Sequence, residues 1–199
     1  IQYMVRWMAG VTQLPVEIHC HDDFGLATAN TLAGIAAGAS VASTTVNGMG
    51  ERSGGAPTEE VAWALKVLYG IDMGLKYERL YGICKLLQDM SGNRLAPNKA
   101  SVGEISFGQE AGMVVAGWKE MVFTAEPYLP ELVGQTHKLI LGKKSGKDSI
   151  EVKLKEIGYQ ASPEQVEQLL LKVKTHAEKT KSPVSDEEFK KFASEILEK

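Results

Sequence analysis

Cysteine and long apolar runs are both scarce in this 199-residue sequence. Its two cysteines, Cys20 and Cys84, stand in unrelated contexts, so neither a disulfide framework nor a four-cysteine zinc site is available. No apolar run approaches the roughly 18 to 20 residues that a membrane-crossing helix needs. Residues Ile1 to Trp7 lack the charged, apolar and small-residue layout of a signal peptide. A basic excess is missing as well: 22 Lys and Arg face 25 Asp and Glu, a formal charge of −3. Nothing there neutralises a phosphate backbone, so no nucleic acid and no membrane is expected as partner. These absences point to a reducing, cytoplasmic setting. There is no internal repeat and no low-complexity tract. What is present, 44% hydrophobic and 24% charged residues, is the balance of a folded globular chain.

Periodicity divides the chain in two. Tyr3, Met4, Trp7 and Met8 already fall at helical spacing, so the first helix spans about 1–13 and the chain is expected to open inside a larger fold. A β-like run at 16–21 follows Pro15, then an Ala-rich helix at 25–39 and a Thr-rich strand at 40–46. After a Gly-rich loop at 48–55, Pro57-Thr58-Glu59-Glu60 opens a helix to about Tyr69, and another spans 77–91. This alternation is that of parallel βαβ units. Two strands cannot form a stable parallel sheet alone, so residues 1–92 are expected to belong to a larger one. Residues 93–137 read as a linker and a first small subdomain. Residues 138–199 read as a second, helical one, with helices near 147–157, 162–180 and 185–198. Ser162-Pro163-Glu164-Gln165 and Ser185-Asp186-Glu187-Glu188 supply helix-start signals.

The densest chemical signal is His19-Cys20-His21-Asp22-Asp23. On a strand, residues two apart share a face, so the two imidazoles project together and Cys20 points away. They lie at the C-terminal end of the strand, where parallel sheets place their ligand sites. Such a pair can share a divalent metal; the residues alone equally allow one buried hydrogen-bonding histidine and one surface histidine. Thr44 to Gly55 ends the next strand, which puts Asn47 at the same rim as a third donor. The alternative there is a plain Gly-rich turn with Glu51 and Arg52 as a solvated ion pair.

The order HxH-D-D-x-G-L-A, T-V-N-G-x-G-E-R-x-G, P-N-K-A-x-V-G and L-G-K-x-S-G resembles the DRE-TIM metallolyases over nearly the whole chain. The Claisen-condensing branch, the 2-isopropylmalate, homocitrate and citramalate synthases of amino-acid biosynthesis, is the nearest. The resemblance implies an α/β fold: the C-terminal part of a (β/α)8 TIM barrel, about strands six to eight, followed by a small, mainly helical subdomain. The eighth strand would fall near 71–75. It implies a divalent metal (Mg, Mn, Zn, Co or Fe) on His19, His21 and Asn47. Asp23, Gly48, Gly50, Glu51 and Arg52 would bind substrate or surround the metal. The implied chemistry is attack by the enolate of an acyl-CoA, acetyl-CoA first, on the carbonyl of a short 2-oxo acid. A homo-oligomer, or a chain supplying the missing half of the barrel, is the implied assembly.

The chain also departs from that pattern. The family's Asp ligand and catalytic Arg on the first strand have no counterpart here, so this chain alone is expected to be inactive. Gln109, Val114 and Ala125 stand where condensing enzymes carry His, an acid–base His and, by alignment back from Pro130, a Tyr. Catalytic side chains are therefore unknown in this chain, with Glu110 the one candidate and a helix-cap carboxylate its alternative. These departures leave two further readings: a lyase or aldolase of the same superfamily, or a non-catalytic split subunit. Gly142 to Lys147 misses phosphate-loop spacing and reads as a helix cap. Cys20 and Cys84 read as packing residues, Trp63 and Trp118 as core or interface, and His137 and His176 as exposed.

Overall fold

A computed structural model describes residues 1–197 and divides into two compact units, residues 1–106 with 131–135, and residues 107–130 with the described residues from 136 onward.

The first unit is built on two short parallel strands, β1 (Glu17–His19) and β2 (Val41–Ser43), in register Glu17–Val41, Ile18–Ala42 and His19–Ser43. Helix α1 (Gln2–Val11) precedes β1, and α2 (Ala27–Ala36) crosses from β1 to β2. Ala27, Thr31 and Gly34 form the buried stripe of α2. Small residues let the helix lie close to the strand: a methyl group on Gly34 would stand 2.1 Å from Ile18 Cδ1. Val5, Val16, Ile18, Cys20, Val61 and Leu65 close the core. Along β1 only Ile18 is buried, so Glu17 and His19 share an exposed face. Helix α3 (Thr58–Tyr69) follows the Gly-rich loop with Glu59 and Glu60 in its first turn, and α4 (Leu80–Ser91) follows a 3₁₀ turn at Tyr77–Arg79.

Residues 71–75, expected as a strand, carry no regular secondary structure. The Asp72 carboxylate accepts the Gly74 N–H (2.9 Å), the Tyr77 hydroxyl (3.1 Å) and Lys66 Nζ (3.0 Å). An aspartate that takes the N–H two residues on bends the backbone rather than extending it. The Pro97-Asn98-Lys99 motif is pinned to α3 through an ion pair of Lys99 with Glu60, whose other oxygen accepts Thr28 Oγ1 at 2.7 Å.

The second unit begins with β3 (Gly108–Gln109), paired in parallel with β4 (Lys138–Leu139). Between them lies a helix that the sequence pattern does not reveal, α5 (Gly112–Glu120). Its apolar residues run on as Met113-Val114-Val115-Ala116, and Gly112 serves close packing rather than helicity. A methyl group on Gly112 would come within 2.6 Å of Gly146 Cα. Helices α6 (Lys147–Glu156), α7 (Pro163–Thr180) and α8 (Asp186–Leu197) then pack around Leu141, Ile150, Leu169, Val173, Phe189 and Ala193. Residue 198, the expected end of the last helix, lies outside the described residues. Both helix-start signals are capping boxes: Ser162 with Gln165 (2.8 and 3.3 Å) and Ser185 with Glu188 (2.9 and 3.2 Å). Lys153, nearly buried, ties α6 to α8 between Glu156 (2.9 Å) and Asp186 (2.7 Å).

His137 and His176 are not free surface residues: each side chain is 26% exposed, and they pair with Glu126 and Glu188 respectively. Among the described residues no helix is long and apolar enough to cross a membrane. Phe189 is fully buried in the helical core, so Phe189→Ala is expected to cost about 3–5 kcal/mol. Leu171→Ala, at a site 68% exposed, should stay within about 0.5 kcal/mol. Urea unfolding followed by far-UV circular dichroism checks both.

Candidate metal centre

The two imidazoles at the end of β1 face each other. His19 Nε2 lies 3.4 Å from His21 Nε2, with the rings 5.0 Å apart between centroids and steeply inclined at 79°. Each outer nitrogen is held: His19 Nδ1 is 3.1 Å from Ser43 Oγ on β2, and His21 Nδ1 is 3.2 Å from the Gly54 carbonyl oxygen. A carbonyl oxygen only accepts, so His21 Nδ1 carries the proton and its Nε2 presents a lone pair. Two nitrogens bonded to one ion at about 2.0–2.1 Å and a tetrahedral angle stand about 3.3 Å apart. The pair therefore has the spacing and the outer hydrogen bonds of metal-ligating histidines.

The Gly-rich loop makes this possible by folding back across the end of β1. Gly54 O accepts both His21 Nδ1–H and Asp22 N–H (3.0 Å), Ala56 N–H donates to Cys20 O (3.2 Å), and His21 pairs with Gly55 in an isolated bridge. Gly54 has φ +79°, and a methyl group there would meet Gly48 O at 1.8 Å. No other residue fits that position.

Asn47 opens the same loop with φ +62°. Its backbone N–H donates to Glu59 Oε2 (3.0 Å) and its side-chain amide to Cys84 O (3.0 Å), while Oδ1 is buried without a hydrogen-bond partner. A buried amide oxygen in that state costs on the order of 1–3 kcal/mol and is suited to a cation. Two imidazoles and a carboxamide oxygen fit a divalent ion of intermediate softness. Among the described residues no three His, Cys, Asp or Glu side chains gather into a metal site of their own.

Beneath Asn47, Glu59 is 1% exposed, and burial pushes its carboxyl above the usual range. Burial, and then the neighbouring Glu59 charge, push the Cys84 thiol up to about 12. At neutral pH Cys84 is thus a protonated packing residue rather than a nucleophile or ligand. Cys20 is likewise buried and free. The missed members of this cluster are Glu59 and Ser43. Glu59 was hidden in an ordinary helix-start pattern, and Ser43 becomes visible only once the register sets it beside His19.

The remaining candidates separate. Arg52 pairs not with Glu51 but with Asp23, through two bonds of 2.9 Å, and its guanidinium holds the Asp23 carboxyl below the usual range. Asp23, Glu51 and Arg52 are all exposed. Gly48 and Gly50 line a cleft of about 240 Å³ together with Asn47, Arg52 and Arg94. Glu110 belongs to the second unit, where its carboxylate accepts the Lys144 N–H at 3.0 Å and packs against Gly142.

Comparison with known proteins adds the family. Residues 1–87 match the family described as HMGL-like, and residues 101–181 the one described as homocitrate synthase post-HMGL domain-like. The chain belongs to the Claisen-condensing branch of the DRE-TIM metallolyases. A homocitrate synthase of Methanopyrus kandleri is 44% identical over 188 residues, covering 94% of this chain and 47% of its own length. A 2-isopropylmalate synthase of Methanocaldococcus jannaschii is 38% identical over 201 residues, 99% of this chain and 39% of its own. Homocitrate synthase 1 of Nostoc is 41% identical over 191 residues, 96% of this chain and 51% of its own. The chain thus spans about half the length, or less, of these relatives. HMGL-like domains are TIM barrels, which gives residues 1–87 their fold class.

Loss of either imidazole, His19→Ala or His21→Ala, should remove divalent metal from the full-length protein. Ser43→Ala should weaken binding about 10- to 100-fold by freeing the His19 ring. Metal analysis after dialysis, with Mn²⁺ titration for the weaker variant, reads both.

Proposed function

We propose that this chain is the C-terminal part of a divalent-metal-dependent acyltransferase that condenses an acyl-CoA, acetyl-CoA first, with a short 2-oxo acid. The observation that carries the reading is the pair of facing imidazoles of His19 and His21 with both outer nitrogens held. The sequence likeness to homocitrate and 2-isopropylmalate synthases supports it.

His19, His21 and Asn47 would hold the ion, with a further ligand from chain outside these 199 residues. When bound, a divalent ion supplies Lewis-acid stabilisation of negative charge developing on a carbonyl oxygen. Ser43 and Gly54 keep the two rings aimed. Glu59 holds the Asn47 backbone, so the carboxamide is positioned before any ligand arrives. Gly48 and Gly50 let backbone approach a substrate closely, and Arg52, neutralised by Asp23, shapes the rim rather than binding an anion alone. Residues 1–92 would complete a barrel with the remainder of the protein. A homo-oligomer and a cytoplasmic location belong to the same reading.

A lyase of the same superfamily is the second reading, favoured by Val114 and Ala125, neither of which moves a proton. Full-length protein, stripped with a chelator and reloaded, decides. The proposal expects thiol release from acetyl-CoA with at least one of a panel of 2-oxo acids. It also expects a fall on the order of 10³-fold or more in kcat/KM for His19→Ala, as when electrostatic stabilisation of a developing oxyanion is lost. Cleavage of a 3-hydroxyacyl-CoA without any condensation selects the lyase. Failure to retain divalent metal defeats both and leaves a non-catalytic subunit.

A further inference from the structure

The cleft beside Asn47, within the first unit, is unbalanced in charge. It encloses about 240 Å³, and Asn47 and Gly54 of the candidate metal centre form part of its wall. Two guanidinium side chains, Arg52 and Arg94, line it, and no aspartate or glutamate does. Arg52 is neutralised by Asp23 through two bonds of 2.9 Å. Arg94 has no such partner: among the described residues its side chain makes neither an ion pair nor a hydrogen bond. It also borders a smaller cavity of about 180 Å³ with Lys85 and Glu104, whose opposite charges balance each other there.

Further donors line the same cleft without a good acceptor. The N–H groups of Arg52 and Ser53, consecutive in a turn where Arg52 has φ +57°, donate to no protein group among the described residues. The Asn93 side-chain amide finds Met49 Sδ at 3.6 Å, a weak acceptor. Consecutive turn amides suit an anion, and an arginine binds carboxylate or phosphate through two parallel bonds. We propose that this cleft is an oxyanion-binding site and that Arg94 supplies its charge. Asn47 stands in the same wall, so the anion belongs to a substrate; which substrate rests on the condensing reading above. Two groups have the chemistry: a second carboxylate on the 2-oxo acid, or a phosphate of the acyl-CoA. In either case Arg94 anchors and selects the substrate and moves no proton.

The test uses metal-loaded full-length protein, thiol release as readout, and two matched pairs of substrates. 2-Oxopentanedioate and 2-oxopentanoate differ by the second carboxylate; acetyl-CoA and S-acetylpantetheine differ by the phosphates and nucleotide. Arg94→Met should lower kcat/KM about 10- to 100-fold for the charged member of one pair, mainly through KM, as when a charged hydrogen bond is lost. The member without that anion should change less than about threefold, metal content should hold, and Arg94→Lys should restore part of the loss. A loss confined to the diacid assigns the carboxylate. A loss common to both 2-oxo acids that vanishes with S-acetylpantetheine assigns the phosphate. An equal loss in every combination, or none in any, overturns the proposal. Titration calorimetry on chelator-stripped protein, with glutarate and pyrophosphate as probes, needs no turnover. Wild type should bind at least one of them, and Arg94→Met at least about tenfold more weakly; wild type that binds neither also overturns the proposal. Binding that depends on Arg94 in a protein that never condenses supports the anion site while defeating the condensing reading. Condensation that ignores Arg94 does the reverse.

Discussion

The hydrogen bond from His21 Nδ1 to the Gly54 carbonyl organises the first unit's sheet edge. It requires the loop after β2 to return across the end of β1, which only a glycine at position 54 allows. The same return brings Gly55 against His21, Gly48 O to the Gly55 N–H at 3.1 Å, and Asn47 to the start of the turn. One backbone carbonyl thereby sets the tautomer of a histidine and the path of the segment that carries Asn47.

Under that edge lies a buried polar cluster that carries the loop from below. Glu59 in the first turn of α3 receives the Asn47 N–H, and the Cys84 carbonyl in α4 receives its side-chain amide. Two helices thus fix one asparagine, and the oxygen they leave without a partner is the one a cation can use. Buried unsatisfied oxygens are uncommon in folded proteins, and each calls for a cause.

Much of this was legible in the residues. The strand period alone turns His19 and His21 to one face, and Ser162 and Ser185 announce the helices they cap. The two imidazoles were therefore placed together before any coordinates. What remained hidden depended on contacts distant in sequence. Asp72 looks like any loop aspartate until its carboxylate collects Gly74, Tyr77 and Lys66 where a strand is expected. Helix α5 was obscured because Gly112 is there for close packing. His137 read as a surface residue because nothing nearby in sequence reveals that Glu126 is buried beside it. Arg52, adjacent to Glu51, instead reaches back 29 residues to Asp23.

X-ray absorption at the cobalt edge of cobalt-loaded full-length protein tests the central claim most directly. The account predicts two imidazole nitrogens at about 2.0–2.1 Å, the remaining scatterers being oxygen, and no sulfur. A sulfur shell near 2.3 Å, or a spectrum without imidazole scattering, would contradict it.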